Sequence, residues 1–196
     1  MHATLALNMV GMDRHKRPLG GFEPMRVIEY NALIERGVLG EARVELLDGE
    51  LVAMSPQQVR HASVVEQLTA RLYRQLGADL RIRCQLPMVL GALSSPEPDL
   101  VVSSHGATLD HPTTAYLVVE VTDSTRDNDE RKIGIYARAN LPVYWLFDLV
   151  HRVVRVHTHP DPVLGVYRSV TLHHRGDVLR LASLPALAVE LADLLA

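Results

Sequence analysis

The chain has 196 residues, of which 47% are hydrophobic and 22% charged, a balance typical of one globular domain with its own core. The net charge of -3 excludes the strongly basic composition that announces many nucleic-acid binders. Cys84 is the single cysteine, which excludes an intrachain disulfide and a thiolate zinc site and fits the reducing cytoplasm. No apolar run reaches the roughly 20 residues that cross a bilayer, so we expect no membrane contact.

The first part of the chain predicts an arm, a helix and a hairpin. Residues 1–22 carry no clear periodicity, and we expect them to form a flexible arm before a single domain over 23–196. Apolar residues at helical spacing predict a helix over 25–34. Two apolar segments then flank Asp48 and Gly49, a dipeptide that suits a tight hairpin turn.

The main helix and three strands are predicted next. Residues 61–76 carry one apolar stripe, which predicts an amphipathic helix. The segments 81–90, 99–103 and 116–122 predict strands, and the last two are continuous apolar runs typical of the interior of a sheet.

The remaining elements complete a mixed pattern. Asp127 supplies an N-cap for a helix that extends to about Ala139, and strands are predicted over 143–149 and 152–157. A hairpin near 161–170 and a weakly apolar end over 184–194 follow. The order of elements predicts an α/β (α+β) fold, a mixed β-sheet flanked by helices.

Two acids stand out because of where they lie. Glu120 is in the middle of an apolar strand, and Asp99 begins the strand before it. A buried carboxylate needs a proton, a cationic partner or a metal ion. If the two strands pair, the acids converge, and carboxylate oxygens suit Mg²⁺ or Mn²⁺ better than zinc.

The sequence resembles the PD-(D/E)xK nuclease superfamily, and within it the small bacterial restriction-endonuclease-like proteins often called the Uma family. The resemblance extends from about Arg43 to Asp148. It is carried by an ordered set of blocks: Val44–Leu51, Met54–Pro56, His61, Pro98–Leu100, Val118–Val121, Ser124–Thr125, Lys132, Tyr136–Ala137 and Pro142–Leu146.

The resemblance implies a restriction-endonuclease-like core and a catalytic role for four residues. Asp99 and Glu120 would be metal ligands, Glu45 would add a third carboxylate, and Lys132 would position or help deprotonate the attacking water. It also implies that Mg²⁺ or Mn²⁺ is the cofactor, that DNA is the partner, and that the reaction is hydrolysis of phosphodiester bonds.

The position of the lysine departs from the superfamily. Its usual lysine lies two residues after the acid, where this chain has Thr122, and the Uma branch instead uses a lysine on the next helix, which Lys132 matches. Of the 20 cationic residues, only Lys16 and Lys132 are lysines, so a lysine within the folded region is unexpected and favours a specific role.

Structural explanations compete with each catalytic assignment. Asp99 and Glu120 could form salt bridges with arginines, Glu45 could face solvent from its strand, and Lys132 could be a surface lysine. His61 lies on the apolar stripe of the main helix, as a core histidine would, or it could form the edge of the site.

Other basic and histidine-rich segments give weaker signals. The arginines at 71, 74, 81 and 83 could track a phosphate backbone or only solvate a helix and a strand. His157 and His159 would share a strand face, but no acid or thiol at ligand spacing accompanies them, or the adjacent pair at 173 and 174. The phosphate-binding loops of nucleotide enzymes are absent, so we expect no nucleotide cofactor.

The sequence therefore supports a metal-dependent endonuclease that acts on DNA in the cytoplasm. The alternative is a non-catalytic module that keeps the nuclease fold and binds nucleic acid or protein. The chain could also act as a homodimer, because 196 residues offer little surface for recognising a target.

Overall fold

The computed structural model describes residues 23–105, 110–123 and 128–196. The predicted arm over 1–22, the Ser124–Thr125 block and the proposed N-cap Asp127 lie outside these residues. The helices and strands of the described residues are α1 (Val27–Glu35), β1 (Val44–Leu47), β2 (Glu50–Ala53), α2 (Val59–Gln75), β3 (Leu80–Cys84), β4 (Leu100–Ser104), β5 (Leu117–Thr122), α3 (Asn128–Arg138), β6 (Val143–Asp148), β7 (Val153–Asp161), β8 (Val166–His173), β9 (Val178–Leu181) and β10 (Leu184–Glu190).

The central feature is a six-stranded sheet with the order β3-β4-β5-β6-β7-β8. Every neighbouring pair is antiparallel except β5 and β6, which are parallel and are connected through α3. Two parallel strands need such a crossover because a short turn cannot return the chain to the same end of the sheet. The predicted mixed sheet flanked by helices is confirmed.

The two faces of the sheet bury different cores. Alternate residues of β4, β5 and β6 face α2 and the C-terminal hairpin β9–β10. The residues between them in each strand face α3. Val119 therefore belongs to the first core, and Val118 to the second. By this alternation Glu120 lies on the face that α3 covers.

The β1–β2 hairpin is fixed beside the sheet by its turn. Asp48 and Gly49 both have positive φ, at 47° and 81°, as the Asp-Gly signal predicts. The backbone of Gly49 bonds to Met25 on one side and to Leu93 on the other. These bonds tie β1 to the segment that leads into β4.

One predicted strand has the wrong length, and one segment for which the sequence predicts no helix or strand contains a strand. The strand predicted over 81–90 ends at Cys84, because Gln85 takes a positive φ of 52° and Pro87 follows. The weakly apolar C-terminal end contains strand β10, paired antiparallel with β9. No helix in the described parts of the chain is long and apolar enough to span a membrane.

Candidate active site

The register of β4 and β5 brings the two acids of the predicted site together. Leu100 of β4 is opposite Val119 of β5 in the antiparallel ladder. One step further along this register, Asp99 faces Glu120. Both side chains are buried, and the charge of Asp99 adds to the rise that burial causes in the pKa of Glu120, as expected for two neighbouring carboxylates.

Helix α3 supplies two donors to Glu120. Lys132 and Tyr136 are four residues apart, so they lie on one face of the helix. The Lys132 Nζ is 3.0 Å from Glu120 Oε1, and the Tyr136 hydroxyl donates to the same oxygen over 2.6 Å. Lys132 is only 7% exposed, so the alternative of a surface lysine is wrong.

The β1 strand adds the third acid from the opposite side of the lysine. Glu45 Oε2 lies 3.0 Å from Lys132 Nζ and also accepts the backbone N–H of Glu97 over 3.2 Å. Glu45 is 4% exposed, which rules out the solvent-facing strand acid. The lysine ammonium therefore joins two glutamates from separate strands.

Asp99 is held by a separate set of donors. Its Oδ2 accepts the backbone N–H of Val121 over 2.8 Å and lies 3.0 Å from His61 Nε2. The side-chain amide of Gln85 donates to Oδ1 over 3.4 Å. Since a carboxylate can only accept, the contact assigns the proton of His61 to Nε2.

These side chains line one open cavity of about 160 Å³. We call it the site cavity. Its wall contains all the sequence-predicted site residues and further residues from the hairpin, the start of α2 and the end of β5: Glu45, Ala53, Met54, Ser55, Pro56, Gln57, Gln58, His61, Glu97, Asp99, Glu120, Val121, Thr122, Asp123 and Lys132. Five carboxyl groups therefore share the wall with one lysine, and this excess of acidic groups suits the cavity to bind a cation.

Burial shapes the protonation of the central pair. Burial raises the pKa of Glu120 to about 7, although the charge of Lys132 opposes the change. Burial alone would lower the pKa of Lys132, but the charges of Glu120 and Glu45 outweigh it and raise that pKa above its ordinary value. Lys132 is therefore a permanent cation at neutral pH, while Glu120 is close to the point where it exchanges a proton.

His61 is both a core histidine of α2 and a residue at the edge of the site, the two alternatives predicted from the sequence. It is a buried residue of α2 and it also lines the site cavity. Burial lowers the pKa of His61, but the hydrogen bond and charge of Asp99, helped by Asp123 and Glu120, outweigh burial and raise it. His61 therefore contributes positive charge beside Asp99 more readily than a free histidine would.

The sequence analysis missed Glu97, Asp123 and Tyr136 as members of the site. Burial raises the pKa of the Glu97 carboxyl, which contacts Arg43 at 3.7 Å. Tyr136 carries a signal that could have been found, because its spacing from Lys132 puts both on one helix face. For Glu97 the only available signal is its place between two prolines beside Asp99.

Two of the four arginines in the basic stretch bind backbone carbonyls, and the two histidines of β7 lie in different environments. Arg71 donates to the carbonyl of Glu190 over 2.6 Å, and Arg83 is buried and donates to the carbonyl of Pro87. His157 is buried, whereas His159 is exposed and has a positive φ, so the two do not share one environment.

Comparisons with known proteins give the fold and the family of this chain. A crystal structure of "a putative nuclease belonging to DUF820" from Anabaena variabilis ATCC 29413 has a TM-score of 0.71 and 16% sequence identity, and the alignment covers 88% of this chain and 98% of that one. This likeness shows that the two proteins share a fold. A search of the curated proteins found no match. The family model Uma2, described as "Putative restriction endonuclease", matches residues 28–192, and the chain therefore belongs to the Uma2 family.

Proposed function

We propose that this protein is a metal-dependent nuclease that hydrolyses phosphodiester bonds of DNA in the site cavity. Membership of a restriction-endonuclease family supports a nuclease function. The observation that carries the proposal is the position of Lys132, whose ammonium contacts Glu45 and Glu120 in the same cavity that Asp99 lines. Buried acids from three separate segments line this cavity together with a buried lysine. Burying so many charged groups costs desolvation free energy, and such groups cluster at functional sites.

The donor set fits a hard divalent cation. Asp99, Glu120 and Glu45 offer carboxylate oxygens, the ligands that Mg²⁺ and Mn²⁺ prefer. Within the described residues, no three histidine, cysteine, aspartate or glutamate side chains are already arranged as a metal site. Water and substrate oxygens would complete the shell, as is usual for Mg²⁺. A cation bound there would lower the pKa of a bound water and neutralise charge on the phosphate.

The chain's own groups account for the remaining steps. Lys132 stays protonated, so it can stabilise the negative charge that develops on the phosphate oxygens. Tyr136 and Lys132 both bind Oε1 of Glu120, which fixes the orientation of that carboxylate. The Val121 N–H and His61 do the same for Asp99.

A nicking assay on supercoiled plasmid tests the proposal. Wild type with Mg²⁺ or Mn²⁺ should convert the plasmid, and a chelator should stop the reaction. Asp99→Asn, Glu120→Gln and Lys132→Met should each lose about 100-fold or more in rate. Glu35→Gln, which changes an exposed acid of α1, is the matched control and should keep wild-type activity. An inactive wild type, or site variants as active as the control, would sink the proposal.

A non-catalytic binding module is the second candidate. It is favoured by the contacts of Lys132, because the ammonium already offsets the charges of Glu45 and Glu120 without a metal. Calorimetry with Mg²⁺ and with DNA separates the two functions. Binding of both without any cleavage would support the module.

A further inference from the structure

The β8 edge of the central sheet carries a concentrated apolar surface. In the part of the chain that the structure describes, β8 has β7 as its only strand neighbour. We define the β8 edge as residues 163–172, which run from the tip of the β7–β8 hairpin along the strand. It contains five exposed large apolar side chains: Val163, Leu164, Val166, Val170 and Leu172. Val163 is 93% exposed and Leu172 is 59% exposed.

The opposite edge of the same sheet is protected in the usual way. Strand β3 has only five residues, it carries the half-buried Arg81, and the chain leaves the strand at Gln85 with a positive φ. Short length, charge and a backbone irregularity all discourage pairing with a foreign strand. The β8 strand has eight residues, and it contains no proline and no acid. One edge is therefore blocked against strand addition and the other is open to it.

The charges of the β8 edge point to a second copy of this chain as the occupant. Arg168 is the only charged residue between 163 and 172, and its guanidinium donates to Asp161 Oδ2 over 2.7 Å. The edge therefore holds no uncompensated charge that would repel an identical edge. A positively or negatively charged partner would find nothing to bind there.

We propose that β8 pairs antiparallel with β8 of a second copy, forming a dimer with a continuous sheet across a two-fold axis. A two-fold axis presents the same strand to itself in the antiparallel direction, so each backbone bond occurs twice. The exposed side chains of Val170 and Leu172 would then be covered by their equivalents. This pairing is closed, because a two-fold axis makes both copies use the same β8 edge on each other.

Light scattering coupled to size exclusion tests the dimer, with protein from about 1 to 100 µM, the range expected for an interface of modest size. The assay contains a chelator and no DNA, so its result does not depend on nuclease activity. Wild type should approach twice the 21.8 kDa of one chain at the upper end. Leu172→Lys and Val170→Lys should each shift the mass to that of one chain, because the two-fold axis places like charges close together.

Ile28→Lys is the matched control. Ile28 is 72% exposed on α1, away from the sheet edge, so the same charge change there should leave the dimer intact. Circular dichroism of every variant checks that the fold is kept, and both β8 positions are exposed enough to accept lysine. A wild type that stays at 21.8 kDa, a mass that grows without limit, or folded β8 variants that remain dimers would overturn the proposal.

Discussion

Lys132 is the residue on which the electrostatics of the site depend. It is a buried cation between two buried glutamates, and each contact is 3.0 Å long. Removing one partner of a buried ion pair costs more than the pair itself contributes, because the remaining charge is left without compensation. Here two carboxylates would be left.

Lys132→Met should therefore destabilise the protein, and the loss should depend on pH. We expect about 3–5 kcal/mol at about pH 8, because the buried Glu120 must there either carry an uncompensated charge or hold a proton that the unfolded chain has released. The charge of Lys132 holds down the pKa of Glu120, so this pKa rises further without it. When the pKa of a carboxyl is raised in the folded state, the protein becomes less stable as pH increases. The stability lost on the Lys132→Met substitution should therefore be smaller at about pH 5.

Urea denaturation at both pH values measures this effect. Arg74→Met is the control, since Arg74 is an exposed cation of helix α2. The control should lose less than about 1 kcal/mol at either pH. Equal losses for Lys132→Met at the two pH values would contradict the argument.

His157 makes a second, independent contribution to pH dependence. It is buried among Tyr144 and Tyr167, and neither ring nitrogen has a hydrogen-bond partner within the described residues. Burial, helped by the charge of Arg155, lowers its pKa from 6.5 to about 4. Between these two pH values His157 is protonated in the unfolded chain and neutral in the folded protein. The free energy of unfolding therefore falls as pH drops from 6.5 towards 4.

His157→Phe should remove this acid sensitivity. The variant keeps an aromatic ring in the same environment and deletes two buried polar atoms without partners. Between pH 7 and pH 4, the free energy of unfolding should fall by on the order of 2 kcal/mol more in wild type than in the variant. Denaturation curves across that range give the result, and parallel pH profiles for the two proteins would refute the assignment.

Residue-scale prediction from sequence succeeded where a side chain conflicts with its surroundings. Glu120 in an apolar strand and Lys132 in an arginine-rich chain were visible for that reason, and the structure brings both to the site cavity. Glu97 and Asp123 lie in loops, where an acid is ordinary, so no conflict marks them. Their membership of the cavity depends on tertiary contacts.

At the scale of elements, the β1–β2 hairpin connects a local turn to the site. The turn holds β1 beside α3, and β1 carries Glu45. Gly49 has a φ of +81°, and a Cβ added there would lie 2.4 Å from the Cβ of Pro24. The turn therefore requires glycine for both backbone and packing reasons.

Gly49→Ala should be more disruptive than an ordinary glycine substitution. We expect a loss of about 2–3 kcal/mol in stability, from left-handed backbone strain and the clash with Pro24 together. Gly37→Ala is the control, because Gly37 has a φ of +65° and open space around it. Thermal unfolding of both variants isolates the contribution of the clash, which is absent if the two losses are equal.

The elements that the sequence predicted well are those whose pattern is local. The turn at Asp48 and Gly49 and the stripe of α2 follow from short-range rules, and both are confirmed. The β9–β10 hairpin, in contrast, is held in place in part by a partner far along the chain. Gln75, for example, exchanges two hydrogen bonds with the backbone of Ala188, close to an irregular step in the β10 register.

At the scale of the whole molecule, the C-terminal segment completes the core on the α2 side of the sheet. Leu181 of β9 and six apolar residues of this segment belong to the same buried cluster as α2 and the central strands. The six are Leu184, Leu187, Val189, Leu191, Leu194 and Leu195. Arg71 and Gln75 bind the backbone of this segment at Glu190 and Ala188. The weakly apolar end therefore forms one wall of the hydrophobic core. The helix that it covers, α2, places His61 in the site cavity.

Leu187→Ala tests whether this wall is as important as the central strands. Leu187 is 0% exposed, so the substitution removes buried methyl groups and leaves a cavity. We expect a loss of about 2–5 kcal/mol, the range for a leucine in a well-packed core. Leu164→Ala, at an exposed leucine, should cost less than about 0.5 kcal/mol in the monomer. Chemical denaturation at low protein concentration compares the two, and a small loss for Leu187→Ala would mean that the segment only lies on the surface of an already complete core.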